Sequence, residues 1–478
     1  MPDKPDPCNI LILDRMPIPM IRKIERYGMR IDPEHFSSLS SRLLARMDDL
    51  RNDILNEIPQ AALDRIMELD NENDEDTDDN GASELEGGGF NADSSQRVAQ
   101  LLYEILGLQH HGVKVKKTKG GGNLTTGKKT LEQLKRSHPV VPLILEYREC
   151  SKLEGTYARS MPRKARFHPK GPDCHLCGRF HYTNEYRVHC RIMTTRTGTG
   201  RTAHKNPNLA NIPIRTALGR EIRAGFIASD GHVICDRDWS QIELRLLAHL
   251  SGDKVMMEVY AADGDIHNRT ACGAFGLTED QLDPVIHRVP SKNTNFSVVY
   301  GITDTGLYES LCAHFSTMKM AVPDWLTVAW CAWFIAKWFT TYPGAKRYLD
   351  DLESIARRFG IVWTLCGRVR RIPEVYSCHS YIQDAGVRQA ANMPIQGTSA
   401  DLMKLAMGEI DERLTDLASY GVRSFPINTI YDSLMIEAPE DDAETVSAVM
   451  GDVMDNVMPS CRVPIQSDGK LLKRWVKE

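Results

Sequence analysis

Residues 231–253 read GHVICDRDWSQIELRLLAHLSGD. The run from His232 to Cys235 is short, β-branched and preceded by Gly231, so a buried strand is expected. Leu244, Leu246, Leu247 and Leu250 then recur at helical spacing. Asp236, Asp238 and Glu243 therefore fall at or just past a strand-to-helix corner, where side chains can converge on a ligand from a rigid scaffold. The same stretch also suits a plainer role, in which Asp238 or Ser240 caps the helix.

A chain of 478 residues is too long for one compact core and suggests two to four lobes. Its 42% hydrophobic and 26% charged composition is that of a soluble globular protein. No run approaches the ~20 apolar residues of a membrane span, and the first residues lack the pattern of a signal peptide. A cytoplasmic protein is expected, with no membrane partner. The cysteines are scattered singly except for Cys174 and Cys177, which fits a reducing compartment.

The net charge of -5 is spread unevenly. Between Gln60 and Phe90 eleven acids face one base, whereas from Lys114 to Arg166 fourteen bases face four acids. A basic limb beside an acidic loop is a footprint for a phosphate backbone, although a solvated charged surface has the same composition.

Residues 16–58 alternate apolar and charged positions at helical period around a break at Gly28 and Pro33, predicting two helices. The segment SSQRVAQLLYEILGL carries a Ser cap and a Gly stop, and more helix follows to about residue 165. Strands are expected from about Arg187 onward, with HVICDRD as one and SFPINTIYDSLMIEAP as a hairpin turning at Tyr431 and Asp432. A helical block at about 254–370 separates them.

Asp238 and Asp432, one from each of two strands, could hold divalent ions ~3.5–4 Å apart, activating a hydroxyl and stabilising a leaving pyrophosphate. Hard oxygen ligands suit Mg²⁺. In HRVPSKNTNFSVVYG, the residues Arg288, Lys292, Phe296 and Tyr300 recur every four positions and share one helix face. Phosphates would meet the cations, and a base or sugar the aromatics. Snorkelling cations over a core aromatic stripe would give the same pattern.

Read together, TGTGRTAHKNPNLANIPIR, DRDWSQIELRLLAHLSGD, DIHNRTA, RVPSKNTNFSVVYG, TLCGRVRRIPE, AANMPIQGTSADLMKLAM and IYDSLMIE resemble the ordered motifs of the family A DNA polymerases. The resemblance covers the chain from about Met16 to its end. It implies an α+β right hand: an N-terminal segment and helical thumb at 1–165 (acidic loop about 70–89, basic tip about 114–129), an antiparallel-sheet palm at 166–253 and 373–478, and helical fingers at 254–372. It also implies a template-directed DNA polymerase adding deoxynucleotides to a primer 3′-OH.

Carried over residue by residue, Asp238 and Asp432 would bind two Mg²⁺ ions, with Mn²⁺ able to stand in. Arg288 and Lys292 would grip the triphosphate with help from His267. Phe296 would lie by the sugar, Tyr300 near the templating position, and Gln241 within the nucleotide site. Glu243 would be the steric gate against a ribose 2′-OH. Arg201, Asn208, Asn211, Arg388, Asn392 and Gln396 would line the primer-template. Asp236 lies outside the family pattern and reads as a surface acid or one standing behind the metal ligands.

Departures matter too. Where the family usually has His-Asp-Glu, this chain has Tyr431-Asp432-Ser433, so Asp432 alone of this turn is expected to bind metal, at some cost in rate. Pro290 is tolerable only if its helix begins near Val289. Few residues precede the thumb-like segment, so no intrinsic 3′-exonuclease is expected; a separate exonuclease or processivity factor would be a partner, and the chain itself is expected to be a monomer. The insertion at 171–190 offers Cys174, Cys177, His181 and Cys190 as four zinc ligands, or else an unliganded polar loop. Two other readings of the whole stay open: a polymerase with relaxed sugar selection, and a catalytically silent primer-template binding protein.

Overall fold

The computed structural model describes residues 7–62, 64–65, 90–110, 124–214, 216–318 and 320–476. The acidic loop at about 70–89, and the basic tip up to residue 123, lie outside the described residues. The chain forms two compact units: one of Met1–Arg30, Arg166–Asn211 and Phe226–Glu478, the other of Ile31–Ala165 and Ile212–Gly225. Among the described residues no helix is long and apolar enough to cross a membrane.

The second unit is built on the helix Pro33–Glu57. Asp32 caps it by accepting from His35 N at 3.0 Å, and Pro33 occupies the first turn, where its missing N–H costs nothing. Phe36, Leu39, Leu43, Leu50 and Ile54 are its buried apolar residues, and the helix packs on the helix Val140–Leu153. Ser94 caps the next segment as its sequence predicts, although the helix continues as a π-turn over Gln100–Ile105 before Gly107 at φ 63° ends it.

The break foreseen at Gly28 and Pro33 is present and separates the two expected helices, which fall in different units. The helix Ile18–Tyr27 belongs with the first unit, and a further helix, Pro7–Arg15, precedes it. Packing decides this: Met20, Ile21 and Ile24 are buried, and Tyr27 meets Phe425 edge-on at 5.2 Å between ring centroids. Gly28 needs its φ of 63°, and a Cβ there would sit 2.7 Å from the Val188 carbonyl oxygen.

In the first unit, β1 (Arg166–His168) pairs antiparallel with β2 (Glu185–Val188) at the base of the cysteine-containing insertion. The central sheet has β3 (His232–Trp239), β4 (Phe425–Ile430), β5 (Ser433–Pro439) and β6 (Ser467–Leu472) in the antiparallel order β6–β3–β5–β4. The hairpin β4–β5 turns on Tyr431 and Asp432 alone. Along β3 the side chains alternate. Cys235, Arg237 and Trp239 face the helix Ala443–Asn456 and its surroundings, with Trp239 Nε1 donating to the Met454 carbonyl at 2.9 Å. Asp236 and Asp238 therefore share the opposite face.

The block after β3 is helical from Lys254–Ala261 to Pro343–Phe359. Several of its aromatic residues are core, among them Phe315, Phe334, Trp338 and Tyr342, whereas Trp333 and Phe359 are exposed; the Trp338 Nε1 donates to Asn295 Oδ1 at 2.7 Å. Asn295 is a hub, since Thr270 Oγ1 also donates to Oδ1 at 2.9 Å and its own amide lies 2.9 Å from His267 Nδ1. That hub ties the helix Val289–Val299 to the helix Ile266–Phe275 and orients both.

Candidate active site

The corner at the end of β3 forms because Gln241 adopts φ 54°, which ends the strand and starts the helix Ile242–Ser251. Gln241 is the cap residue and makes no capping hydrogen bond, so neither Asp238 nor Ser240 is spent on the helix end. Its side-chain oxygen instead accepts from the Tyr260 hydroxyl at 3.2 Å. Across the sheet Ser433 is the register partner of Asp238, and Trp239 N donates to the Asp432 carbonyl at 3.1 Å. The two aspartates thus lie side by side at one end of the sheet. Tyr431, at φ 56°, is a bulky residue in the left-handed region, so residues in a strained conformation flank both carboxylates.

Asp236 is not at the surface. It is 7% exposed and accepts from Ser433 Oγ at 2.8 Å, on the face it shares with Asp238. Ser433, where the family resemblance implies a Glu, therefore has a carboxylate within a hydrogen bond, from the neighbouring strand.

Glu243 is 8% exposed and held at both oxygens. Arg201 Nη2 donates to Oε1 at 2.7 Å, and the Tyr300 hydroxyl donates to Oε2. Gln396 Nε2 reaches the Tyr300 oxygen at 3.4 Å, the Arg201 guanidinium lies 4.8 Å over the Tyr431 ring, and the Tyr431 hydroxyl lies 3.5 Å from Asn211 Oδ1. Residues from five separate motifs so form one chain of contacts. Burial, then the Glu243 carboxylate, push the Tyr300 phenol upward, which keeps it a proton donor.

The cationic face is partly engaged. Arg288 Nε lies 3.1 Å from Asp265 Oδ2, while Asp265 Oδ1 caps the helix Ile266–Phe275 through His267 N at 2.7 Å. Burial works against the Asp265 charge, yet Arg288 and the backbone amide hold its carboxyl below the usual range. Lys292 is exposed on the same helix. His267 is 1% exposed and its pKa is lowered to about 4, by burial first, so at neutral pH it is an uncharged ring tilted against Phe296 at 5.5 Å. The helix begins at Val289 as Pro290 requires, but a π-turn over Pro284–Arg288 runs straight into it.

Other expected residues stand apart from this network. Asn208 turns back on its own chain, accepting from Ala210 N at 3.1 Å. Arg388 is exposed and its stem packs over Gly301, where a Cβ would come within 2.7 Å. Asn392 is half-buried in the helix Ser380–Ser419. In the insertion, Cys174, Cys177 and His181 converge with His168, their ligand atoms all within 4.8 Å of one another. Cys190, the expected fourth member, is buried outside this cluster, because His168 at the end of β1 occupies the place beside the Cys174 sulfur.

The family profile described as DNA polymerase family A matches residues 64–477. The chain belongs to DNA polymerase family A. Among curated relatives, a thermostable DNA polymerase I of Thermus thermophilus is 36% identical over 96% of this chain and 47% of its own length. DNA polymerase I of Deinococcus radiodurans is 36% identical over 97% of this chain and 42% of its own. The chain thus spans about half the length of these family A relatives. A solved structure, the POL domain of Pol1 from M. smegmatis in complex with DNA primer-template and dNTP, matches with a TM-score of 0.76 and 26% identity over 96% of this chain and 69% of that one. The fold is the α+β right hand of family A. Sequence reasoning missed Asp265 and His168, and it left Asp236 open as a surface acid or one standing behind the metal ligands; the Asp before the helix at Ile266 left a signal, as a cap.

Proposed function

We propose that this chain is a DNA-directed DNA polymerase that pairs a deoxynucleoside triphosphate with a template base, joins it to a primer 3′-OH and releases pyrophosphate. The observation that carries the reading is the register of β3 on β5, which sets Asp238 beside Asp432. Their donor set, two carboxylates on adjacent strands, fits Mg²⁺ or Mn²⁺. Two such ions, when bound, supply Lewis-acid stabilisation of the attacking and leaving oxygens.

Every other part of the work falls to the chain itself. Arg288 exchanges Asp265 for a phosphate, and Lys292 adds a second cation from the same helix face. His267, uncharged, contributes a ring N–H rather than a charge. Glu243, clamped by Arg201 and Tyr300, stands as a rigid wall against a 2′-OH; a gate works only if it cannot swing aside. Arg388, Asn392 and Gln396, along the helix Ser380–Ser419, face the primer-template, the ligand present in the mycobacterial complex.

The test is primer extension on a recessed template with Mg²⁺. Wild type extends with deoxynucleotides and not ribonucleotides, Asp238→Asn abolishes extension, and Glu243→Ala narrows the sugar preference by roughly one to two orders of magnitude. Full extension by Asp238→Asn, or tight primer-template binding without extension by wild type, sinks the proposal.

A further inference from the structure

We infer that the insertion between β1 and β2 is a structural zinc site whose ligands are His168 Nδ1, Cys174 Sγ, Cys177 Sγ and His181 Nε2. All four residues are buried, at 0% to 4% exposure. The Cys174 sulfur lies 3.4 Å from His168 Nδ1 and the Cys177 sulfur 3.1 Å from His181 Nε2. Ligands at the usual Zn–S and Zn–N lengths around a tetrahedral ion stand about 3.6 Å apart, so little movement is needed to admit one.

The backbone between the cysteines has the form of a metal knuckle. Cys177 N and Gly178 N both donate to the Cys174 carbonyl, at 3.2 and 2.6 Å, and Gly178 follows at φ 71°. This turn puts both sulfurs on one side. Gly171 and His181 exchange backbone hydrogen bonds of 3.0 and 2.9 Å, closing the loop and returning His181 to the sulfurs.

The surroundings orient each ring for a metal. His189 Nδ1 lies 2.9 Å from the Glu25 carbonyl, which can only accept, so the neutral His189 ring carries its proton there and its Nε2 is an acceptor. His168 Nε2, 3.1 Å from that atom, must therefore donate, which leaves the His168 Nδ1 lone pair facing the Cys174 sulfur. Glu185 Oε2 lies 3.1 Å from His181 Nδ1, bent from ideal hydrogen-bond alignment, and favours the proton on that nitrogen, leaving Nε2 for the ion. Carboxylate and hydrogen-bond partners behind ligating histidines are what metal centres use to hold tautomer and orientation.

Charge balance and ligand type select the ion. On binding, the two thiols release their protons to solvent, and two thiolates with two neutral imidazoles cancel the 2+ charge, which suits burial. Two sulfurs and two ring nitrogens in a tetrahedral array are a zinc set. Arg179, two positions from both Cys177 and His181, pairs with Glu437 on β5 at 2.7 Å, so the ion would brace the loop that reaches into the central sheet.

The experiment is elemental analysis of the full chain after exhaustive dialysis, together with the visible spectrum of the cobalt-exchanged protein. About one zinc per chain is expected in wild type and in Cys190→Ser, with loss in Cys174→Ser and Cys177→Ser. Cobalt-loaded wild type should show tetrahedral ligand-field bands and a thiolate charge-transfer band, a readout independent of whether the variants fold. Wild type without stoichiometric zinc, zinc retained in Cys177→Ser, zinc lost from folded Cys190→Ser, or cobalt without thiolate character would each overturn the assignment.

Discussion

Asp236 shows what a single side chain can change at a site otherwise readable from motifs. The Tyr431-Asp432-Ser433 turn lacks the family's Glu, yet Ser433 Oγ donates to Asp236 at 2.8 Å on the face that carries Asp238. The pair keeps a carboxylate beside the turn that carries Asp432, supplied by β3 instead of β5. Asp236→Ala is therefore expected to slow single-turnover nucleotide addition by roughly 10- to 100-fold, whereas Asp236→Glu retains part of the rate. Circular dichroism controls for folding. An Asp236→Ala rate equal to wild type would assign this acid a purely structural role. Neither residue's neighbour is visible in the linear order, since 197 positions separate Asp236 from Ser433.

At the scale of elements, β5 is tied to the insertion by a buried ionic cluster. Arg179 and Arg187 both contact Glu437 Oε2, at 2.7 and 2.8 Å, and Arg187 also reaches Glu185 at 2.7 Å; the side chains are at most 1% exposed. Burial would push the Glu437 carboxyl up, but the two guanidiniums and the Ser229 amide hold it well below its ordinary value. Removing one partner leaves a charge stranded in low dielectric, so Glu437→Gln should lower the unfolding free energy by ~3–5 kcal/mol, read from urea denaturation. A loss under ~1 kcal/mol would mean that the cluster relaxes or hydrates. The sequence pattern found the strand that carries Glu437, but not the one that carries Glu185 and Arg187. It could not find the cluster, because a buried Arg and an exposed one look alike in sequence.

For the whole molecule, buried histidines make stability fall toward acid pH. Burial lowers the pKa of both His204 and His267 to about 4 from the ordinary 6.5. Below pH 6.5 the unfolded chain takes up protons that the folded one refuses until about pH 4, so stability falls across that window by up to ~3 kcal/mol per residue. Urea midpoints measured at pH 7 and 4.5 should drop in wild type and drop less in His204→Gln; equal slopes would rule His204 out. The sequence by itself determined the strand-to-helix corner at Asp238, the hairpin at Asp432 and the cationic helix face, because local periodicity, turn chemistry and residue spacing are properties of a segment and its neighbours; the class of fold came from the resemblance of its ordered motifs to family A. Only the tertiary structure decided that Asp236 backs Ser433, that Asp265 holds Arg288, that residues up to Arg30 pack with the sheet, and that His168 rather than Cys190 completes the insertion's cluster. Each depends on strand register or on packing between distant segments, and burial alone decides whether a polar side chain must find a partner or can stay in water.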